Sequence, residues 1–269
     1  MIYTCYDMIR DCRANRAAGW SYFVTNYVPT IRNFIAHYFP ERRDDRAMIE
    51  RVLLALRNPE SGLFHSLDPA PERWFVSELR QHILAAVEAD RASDRPEIEL
   101  DLETLAGALS DLTIVEKQVV WFETMRYEKD DVAAMLKMSP VTVEKIREKA
   151  SELIRAKVDR WRRSLIRNNG GQLGRAATAL KSENCLPAKA LLDVIDGRSN
   201  WYRRDEMDRH IAGCWYCIDN FCRLREVCEM LRNSVALTEP EAVPFLTLIG
   251  APARKLSGWK KLFAAGKTQ

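Results

Sequence analysis

The sequence predicts an all-α protein, and three observations lead to this fold class. Apolar residues recur every three to four positions through most of the chain, which is the period of an amphipathic helix. No stretch alternates apolar and polar residues between turns, as a half-buried strand would. Residues that start helices, Thr113 and Ser139 among them, stand directly before apolar runs. With 269 residues, the chain is long enough for two or three small domains.

The composition narrows the class of protein. Seven cysteines form an odd set, and no charged stretch followed by an apolar one opens the chain. The pattern argues against a secreted disulfide framework and predicts a reducing, cytoplasmic location. No run of about eighteen apolar residues occurs, so stable membrane insertion is not expected. The net charge of +3 indicates no partner, but residues 151–181 carry eight Lys/Arg against two Asp/Glu. Such a basic segment could bind phosphate groups, and it is equally typical of a solvent-exposed helix face.

The first predicted domain covers residues 1–95 and holds three or four packed helices. Pro29 lies inside the first long apolar stripe and predicts a kink or a break between two helices. A second stripe ends before Pro59, and a further helix runs to about Asp90. The polar segment Arg91–Glu99 is the predicted linker to the next domain. The apolar residues of the second stripe are Met48, Ile49, Val52, Leu53 and Leu56.

The second predicted domain covers residues 96–168 and carries a helix-turn-helix pattern. Thr113 and Glu116 have the spacing of a capping box, which starts one helix. Residues 127–136 form a short helix, and Ser139, followed by a proline, starts a longer helix as its N-cap. A short helix, a tight turn and a longer capped helix are the plan in which the second helix enters the major groove of DNA.

This plan gives the longer helix an inner and an outer side. Val143, Ile146 and Ala150 are expected to pack inward together with Leu153. The same pattern also occurs in three-helix domains that never meet DNA, so that alternative stays open. The residues expected to contact bases and phosphates are Ser139, Val141, Thr142, Glu144, Lys145, Arg147 and Lys149.

Three cysteines and one histidine have the spacing of a metal site. Cys185 is followed after 24 residues by His210, which stands one helical turn before Cys214, and Cys217 falls on the same side three residues later. Four such ligands can close a tetrahedral zinc (Zn2+) site. No position is then left for water or substrate, so the site is expected to be structural or redox-sensing rather than catalytic. The alternative is a set of buried thiols beside an unrelated histidine.

Three further segments complete the predicted organisation. Residues 169–182, which contain three glycines, are predicted to be a flexible linker. Residues 183–232 form the domain around the metal ligands. Residues 233–269 form an amphipathic, basic tail, which could touch anionic lipid or nucleic acid or dock on the protein's own core. Its apolar side would be Leu256, Trp259, Leu262 and Phe263.

The stretch Leu102–Lys157 resembles the minus-35-element-binding domain of extracytoplasmic-function (ECF) sigma factors, most clearly in the run DVAAMLKMSPVTVEK. The first domain resembles the companion promoter-melting and polymerase-binding domain of that family. This second similarity is carried by Tyr27-Val-Pro29, Asp44-Asp45, Glu50-Arg51-Val52-Leu53 and Arg73-Trp74-Phe75. The resemblance implies that the helix after Asp45 contacts core RNA polymerase and that Trp74–Arg91 contacts the unwound minus-10 element. The implied polymerase-binding residues are Asp45, Glu50, Leu53 and Arg57.

The third domain resembles a zinc-binding anti-sigma domain. The similarity lies in Cys185–Gly197 and in the segment from Glu206 to Cys217, which together give the family's order of ligand, helix, Asp-Gly turn, helix and three ligands. This resemblance implies that the domain contacts the sigma-like domains of the same chain and regulates them. In some members of that family, thiol oxidation expels the zinc ion and frees the sigma factor.

Taken together, the two resemblances predict a transcription initiation factor of the ECF type. It would bind core RNA polymerase and promoter DNA and be regulated by a fused zinc domain. One alternative is a DNA-binding or adaptor protein with a sigma-like scaffold, or a redox-responsive regulator, that no longer initiates transcription. Glu144 and Glu148, which would repel phosphates, favour that alternative. An enzyme is not expected, since no nucleophile with a base, phosphate loop or open metal site is recognisable.

Overall fold

A computed structural model describes residues 3–43, 45–58, 60, 62–66, 71–91, 102–158, 170–199 and 201–251. The regular structure of these residues is helical and includes no strand, which confirms the all-α prediction. Among them, no helix is both long enough and apolar enough to cross a membrane.

The helices are numbered in chain order. The first are α1 (Cys5–Arg13), α2 (Ala17–Tyr38), a 3-10 turn (Pro40–Arg42), α3 (Arg46–Arg57), α4 (Leu63–Ser66), α5 (Glu72–Arg91), α6 (Leu102–Ala108) and α7 (Ile114–Thr124). They continue with α8 (Lys129–Leu136), α9 (Pro140–Lys157), α10 (Gly170–Ala179), α11 (Ala188–Ile195), α12 (Trp201–Gly213), α13 (Trp215–Arg232) and α14 (Glu239–Leu248).

The chain divides into two compact units. Unit 1 consists of Met1–Arg95 and Met230–Gln269, and unit 2 consists of Pro96–Glu229. Unit 2 contains both the helix-turn-helix segment and the segment with the metal ligands. The predicted linker beyond Arg91 and the apolar residues of the predicted tail lie outside the described residues.

Unit 1 is built around α2, which is continuous from Ala17 to Tyr38. The prediction of a break at Pro29 is therefore wrong. A proline removes one hydrogen bond from a helix, but buried side chains along α2, on both sides of Pro29, stabilise one continuous helix. Aromatic rings from α2, α4 and α5 form the centre of the core, with ring centroids 5.2–6.2 Å apart. These rings belong to Trp20, Phe23, Tyr27, Phe64 and Phe75.

The last of the described helices, α14, completes unit 1 by packing against α2 and α3. The segment before it runs along α2, where the Leu237 amide donates to the Thr25 carbonyl at 2.9 Å and the Ser234 hydroxyl lies 2.9 Å from that of Thr30. On α3, the Arg46 guanidinium lies 5.6 Å from the centre of the Phe245 ring. The core of unit 1 therefore includes residues distant in sequence from its first five helices.

Unit 2 contains one helix where the sequence predicts a flexible linker. Residues 170–179 form α10, so the prediction for that part of 169–182 is wrong. Leu173 and Ala177, one helical turn apart, are both completely buried, and α10 packs against α6. Two buried apolar side chains on one face stabilise a helix in spite of its glycines, because tertiary packing outweighs low intrinsic propensity.

Candidate metal centre and helix-turn-helix surface

Four donor atoms of unit 2 converge between three helices. Cys185 lies in the turn that follows α10, His210 in the last turn of α12, Cys214 between α12 and α13, and Cys217 in the first turn of α13. One donor atom from each of them lies within 4.8 Å of all the others. The four predicted ligands are therefore brought together, in an arrangement that could hold a metal ion.

The distances within the cluster are short. Cys185 Sγ lies 3.7 Å from Cys214 Sγ, and Cys217 Sγ lies 3.3 Å from His210 Nε2. Cys217 is completely buried, whereas the other three residues are partly exposed. The cluster therefore has one inner donor fixed in the core and three donors near the surface, through which an ion could enter.

Backbone amides support two of the sulfur atoms. The Ser182 amide donates to Cys185 Sγ at 3.3 Å, and the Leu186 amide donates to Cys217 Sγ at 3.4 Å. Burial alone would raise the pKa of Cys185, but the hydrogen bonds from Ser182 outweigh it and lower that pKa. Burial raises the pKa of Cys217 to about 12, and the adjacent thiols add to the rise. A bound cation would favour the thiolate at both positions.

The helix-turn-helix has the local geometry that the sequence predicts. Thr113 and Glu116 form both hydrogen bonds of a capping box at the start of α7. Lys137 adopts a left-handed backbone conformation, with φ of 56°, and ends α8. Ser139 then caps α9 by accepting a hydrogen bond from the Thr142 amide at 3.1 Å. The turn is tight because one left-handed residue reverses the chain.

The outer side of α9 carries most of the residues predicted to contact DNA. Val141 is 66% exposed, an unusual position for a large apolar side chain. Ser139, Thr142, Lys145 and Lys149 are exposed, and Glu144 is half-buried. Val143, Ile146 and Ala150 are buried and face the unit's core, as the pattern predicts.

Two of the predicted DNA-contacting residues pair with the body of the unit. Lys149 Nζ lies 2.8 Å from the Glu116 carboxylate, although its side chain remains half-exposed. The Arg147 guanidinium donates to the Tyr127 carbonyl at 2.9 Å and lies 3.8 Å from Glu123. Arg147 is thus turned toward the end of α7 and fastens α9 to the residues there, while its role as a DNA contact stays a prediction.

The residues predicted to bind polymerase differ in burial: Asp45, Glu50 and Arg57 are partly exposed, whereas Leu53 is buried. Asp45 caps α3 by accepting from the Met48 amide at 3.0 Å, and Glu50 pairs with Arg46 at 2.7 Å. Leu53 is completely buried, so its assignment to a binding surface is wrong: it belongs to the same apolar stripe that predicts α3. The guanidinium of Arg57 lies over the Trp20 ring at 5.9 Å.

Sequence reasoning missed the polar residues of α13. Asp219, Asn220, Arg223 and Glu226 are at most 3% exposed, although charged residues are rarely buried unless they are paired. Asp219 accepts from Trp121 of α7, and Glu226 accepts from Tyr127. Arg223 pairs with Asp219 and donates to Asn220 within α13. The sequence signal for their burial is that large apolar residues occupy every side of this helix between and around these four residues. Such a pattern is typical of a helix that is buried on all sides.

Comparisons with known proteins identify no relative. A scan against models of protein families found no match, and neither a search of curated proteins nor a search of solved structures found a similar chain.

Proposed function

We propose that this protein is a transcription initiation factor of the ECF sigma type, with a zinc-binding domain built into the same chain. The observation that carries the proposal is the helix-turn-helix: a tight turn at Lys137 and a capped helix whose outer side is exposed from its first residue. Base readout requires such an exposed helix start, because the N-terminal residues of the second helix reach the base edges. The resemblance in residues 102–157 supplies the family.

The donor set favours zinc as the metal. Three thiolates and one imidazole form a Cys₃His set, which is typical of structural Zn2+ sites. In a tetrahedral site with zinc–sulfur bonds of about 2.3 Å, two sulfur atoms lie about 3.8 Å apart. The separation of 3.7 Å between the sulfur atoms of Cys185 and Cys214 agrees with that value. Four protein ligands close the site, so the ion would stabilise structure rather than activate water.

Metal analysis of the reduced full-length chain tests this assignment. About one zinc ion per chain is expected at neutral pH, and Cys214→Ser should lower the bound metal sharply. Cys228→Ser is the matched control, because Cys228 lies on α13 but outside the donor cluster, and it should retain the metal. Full metal binding by Cys214→Ser would contradict the proposed ligand set.

The proposed promoter contact rests on the outer side of α9. The Val141 side chain can contact a thymine methyl group, and Lys145 can pair with a phosphate or a guanine. With full-length protein and core RNA polymerase, transcription from a library of promoter fragments should require the protein. Lys145→Ala should weaken promoter binding, whereas Lys189→Ala, an exposed lysine on α11, should not. Equal losses in the two variants would show that the effect is not specific to α9.

The position of α14 supports regulation within unit 1. This helix and the segment before it pack on α2 and α3, and α3 is the helix that the resemblance assigns to polymerase binding. Phe245 is buried there beneath Arg46. Phe245→Asp should detach α14 and raise the affinity for core polymerase. A fall in affinity, with the unit still folded, would mean that α14 assists binding instead.

A second candidate function is an adaptor that keeps the sigma-like scaffold but does not start transcription. Glu144, Glu148 and Glu152 all lie on α9 and would oppose phosphate binding. Binding to core polymerase without transcription from any fragment of the library would favour this candidate. In either case we place the protein in the reducing cytoplasm, where the thiolates of the metal site persist.

A further inference from the structure

Helix α13 belongs both to the metal centre and to the core beneath the helix-turn-helix. Its first turn carries the buried ligand Cys217. Two residues later, Asp219 is 1% exposed and accepts a hydrogen bond from the Trp121 indole Nε1 at 3.0 Å. Trp121 lies on α7, the helix that packs directly on α9. A ligand of the metal site and a partner of the DNA-reading domain are therefore neighbours on one rigid helix.

Asp219 occupies the centre of a buried polar network. Its second oxygen lies 2.8 Å from Arg223 Nε, and both side chains are at most 3% exposed. Arg223 in turn donates to Asn220 Oδ1. Gly174 on α10 lies beside the carboxylate, where a Cβ would be in ordinary van der Waals contact with Asp219 Oδ1, at 3.6 Å. A buried carboxylate is stable only while all of these partners remain in place.

Three more hydrogen bonds connect this region to the helix-turn-helix. Tyr127 donates from its hydroxyl to Glu226 Oε1 at 2.8 Å, and Arg225 donates to the Met135 carbonyl at 2.6 Å. Met135 lies in the last turn of α8, immediately before the turn that leads into α9. Lys117 of α7 donates from Nζ to the Ala212 carbonyl at 2.8 Å, between the ligands His210 and Cys214.

We infer that the metal centre is a structural part of the helix-turn-helix domain, so that metal binding positions α9 for DNA rather than withholding it. The ion would fix the junction of α12 and α13, which presents Asp219, Arg225 and Glu226 to α7 and α8. Loss of the ion frees that junction, and the buried hydrogen bonds that Asp219, Arg225 and Glu226 make to α7, Tyr127 and α8 then lose their fixed geometry. Metal loss should therefore loosen α7, α8 and the start of α9 together.

This inference rests on the metal site of the proposed function but not on polymerase or promoter binding. It can be tested without either macromolecule. If the coupling fails, the proposed transcriptional role is untouched, and if transcription fails, the coupling can still hold.

Hydrogen exchange of the full-length protein tests the coupling. The reduced, zinc-loaded chain is compared with the same chain after a zinc chelator, with metal analysis to verify the loss. Amide exchange in α7, α8 and the first turns of α9 should accelerate at least tenfold, while exchange in α2 and α5 of unit 1 stays constant. Unchanged exchange in residues 114–145 after verified metal loss would overturn the inference. So would a purified reduced chain that binds no zinc.

A conservative variant separates coupling from a general loss of folding. Trp121→Phe keeps a large ring but removes the indole donor to Asp219. In this variant the zinc-loaded protein should already exchange faster in α8 and α9, and chelation should add less than in the parent. Trp20→Phe is the matched control, a buried tryptophan of unit 1, and it should leave exchange in unit 2 and its response to chelation unchanged. If chelation accelerated exchange by the same factor in Trp121→Phe as in the parent, the proposed route through Asp219 would be refuted.

Discussion

The two units hold themselves together by different means. Unit 1 has a core of stacked and edge-to-face aromatic rings on α2, α4 and α5, surrounded by aliphatic residues. Unit 2 buries a network of charged and amide side chains on α13, together with Lys117 and Gln118 of α7. Unit 1 buries charged side chains at only two of its described positions, Arg80 and Asp11. The Arg80 guanidinium lies against the Tyr38 ring and donates to its hydroxyl at 2.6 Å, and Asp11 pairs with Arg16 at 3.1 Å.

This difference has a physical consequence for how each unit responds to change. Apolar packing is non-directional, so the loss of one contact in unit 1 is felt near the altered residue. A buried charge needs its partners in a fixed geometry, so removing one member of the network in unit 2 leaves others unsatisfied. Unit 2 should therefore lose structure more cooperatively than unit 1, and a metal ion bound at its candidate site would add to that dependence.

The largest expected effect is in the network of unit 2. Asp219→Ala leaves the Arg223 guanidinium buried without its carboxylate and the Trp121 indole without its acceptor. The free energy of unfolding of unit 2 should fall by about 3–5 kcal/mol. Denaturant unfolding measures this loss of free energy, with hydrogen exchange used to monitor each unit separately. Asp111→Ala is the control, because its pair with Lys157 is 3.8 Å long and its side chain is 72% exposed. A loss below 1 kcal/mol for Asp219→Ala would remove the contrast between the units.

The next effect lies in unit 1, where two helices approach closely. A Cβ at Gly19 of α2 would lie 2.5 Å from the Cys12 amide nitrogen of α1. Gly19→Ala should therefore destabilise unit 1 by about 3 kcal/mol, because backbone atoms cannot move aside as a side chain can. At Gly107 of α6 there is open space, so Gly107→Ala should stabilise unit 2 by about 0.5–1 kcal/mol. Thermal unfolding of the two variants measures both signs, and a stable Gly19→Ala would contradict the close packing.

A third prediction concerns acid sensitivity in unit 1. Burial lowers the pKa of His82 on α5, so the unfolded chain binds a proton there more readily than the folded chain does. The contribution of neutral His82 to the stability of unit 1 is fully present above about pH 6.5, the pKa of the side chain in the unfolded chain. It is lost as the pH falls through the lower pKa that the side chain has in the folded chain. His82→Gln should reduce the pH dependence of unit 1 stability below 6.5 by at most about 1.4 kcal/mol per pH unit. Unfolding curves at several pH values measure the slope, and an unchanged slope would contradict this role.

The smallest expected effect is at a helix start in unit 2. Thr113→Ala removes the side-chain acceptor for the Glu116 amide and half of the capping box of α7. The unfolding free energy should fall by about 1 kcal/mol. Thr238→Ala breaks the capping box of α14 in unit 1 and should cost about the same, because both caps are local and exposed. Unequal losses would show that one of these helices depends on its cap more than the packing indicates.

The value of sequence reasoning differed between local and distant features. The starts of α7 and α9 were predicted correctly, since Thr113 with Glu116, and Ser139 with Pro140, act over three or four residues. The tight spacing of His210, Cys214 and Cys217 is equally local. The prediction for Leu53 failed because this residue belongs both to an apolar stripe, which predicts packing in the core, and to a family motif, which implies contact with polymerase. Its complete burial agrees with the first of these.

The sequence by itself determined the all-α class, the starts of α7 and α9 and the three closely spaced candidate ligands, because periodicity, capping and short spacings are read within one or two turns. Tertiary structure decided that α10 replaces a linker and that α14 belongs to the core of unit 1, and it brings Cys185 to the other three candidate ligands, as predicted. It also decided that Asp219 and Glu226 are buried partners of Trp121 and Tyr127. Each of these pairings brings together residues far apart in sequence, which costs loop-closure entropy. The burial of apolar surface that offsets this cost occurs only in the folded chain.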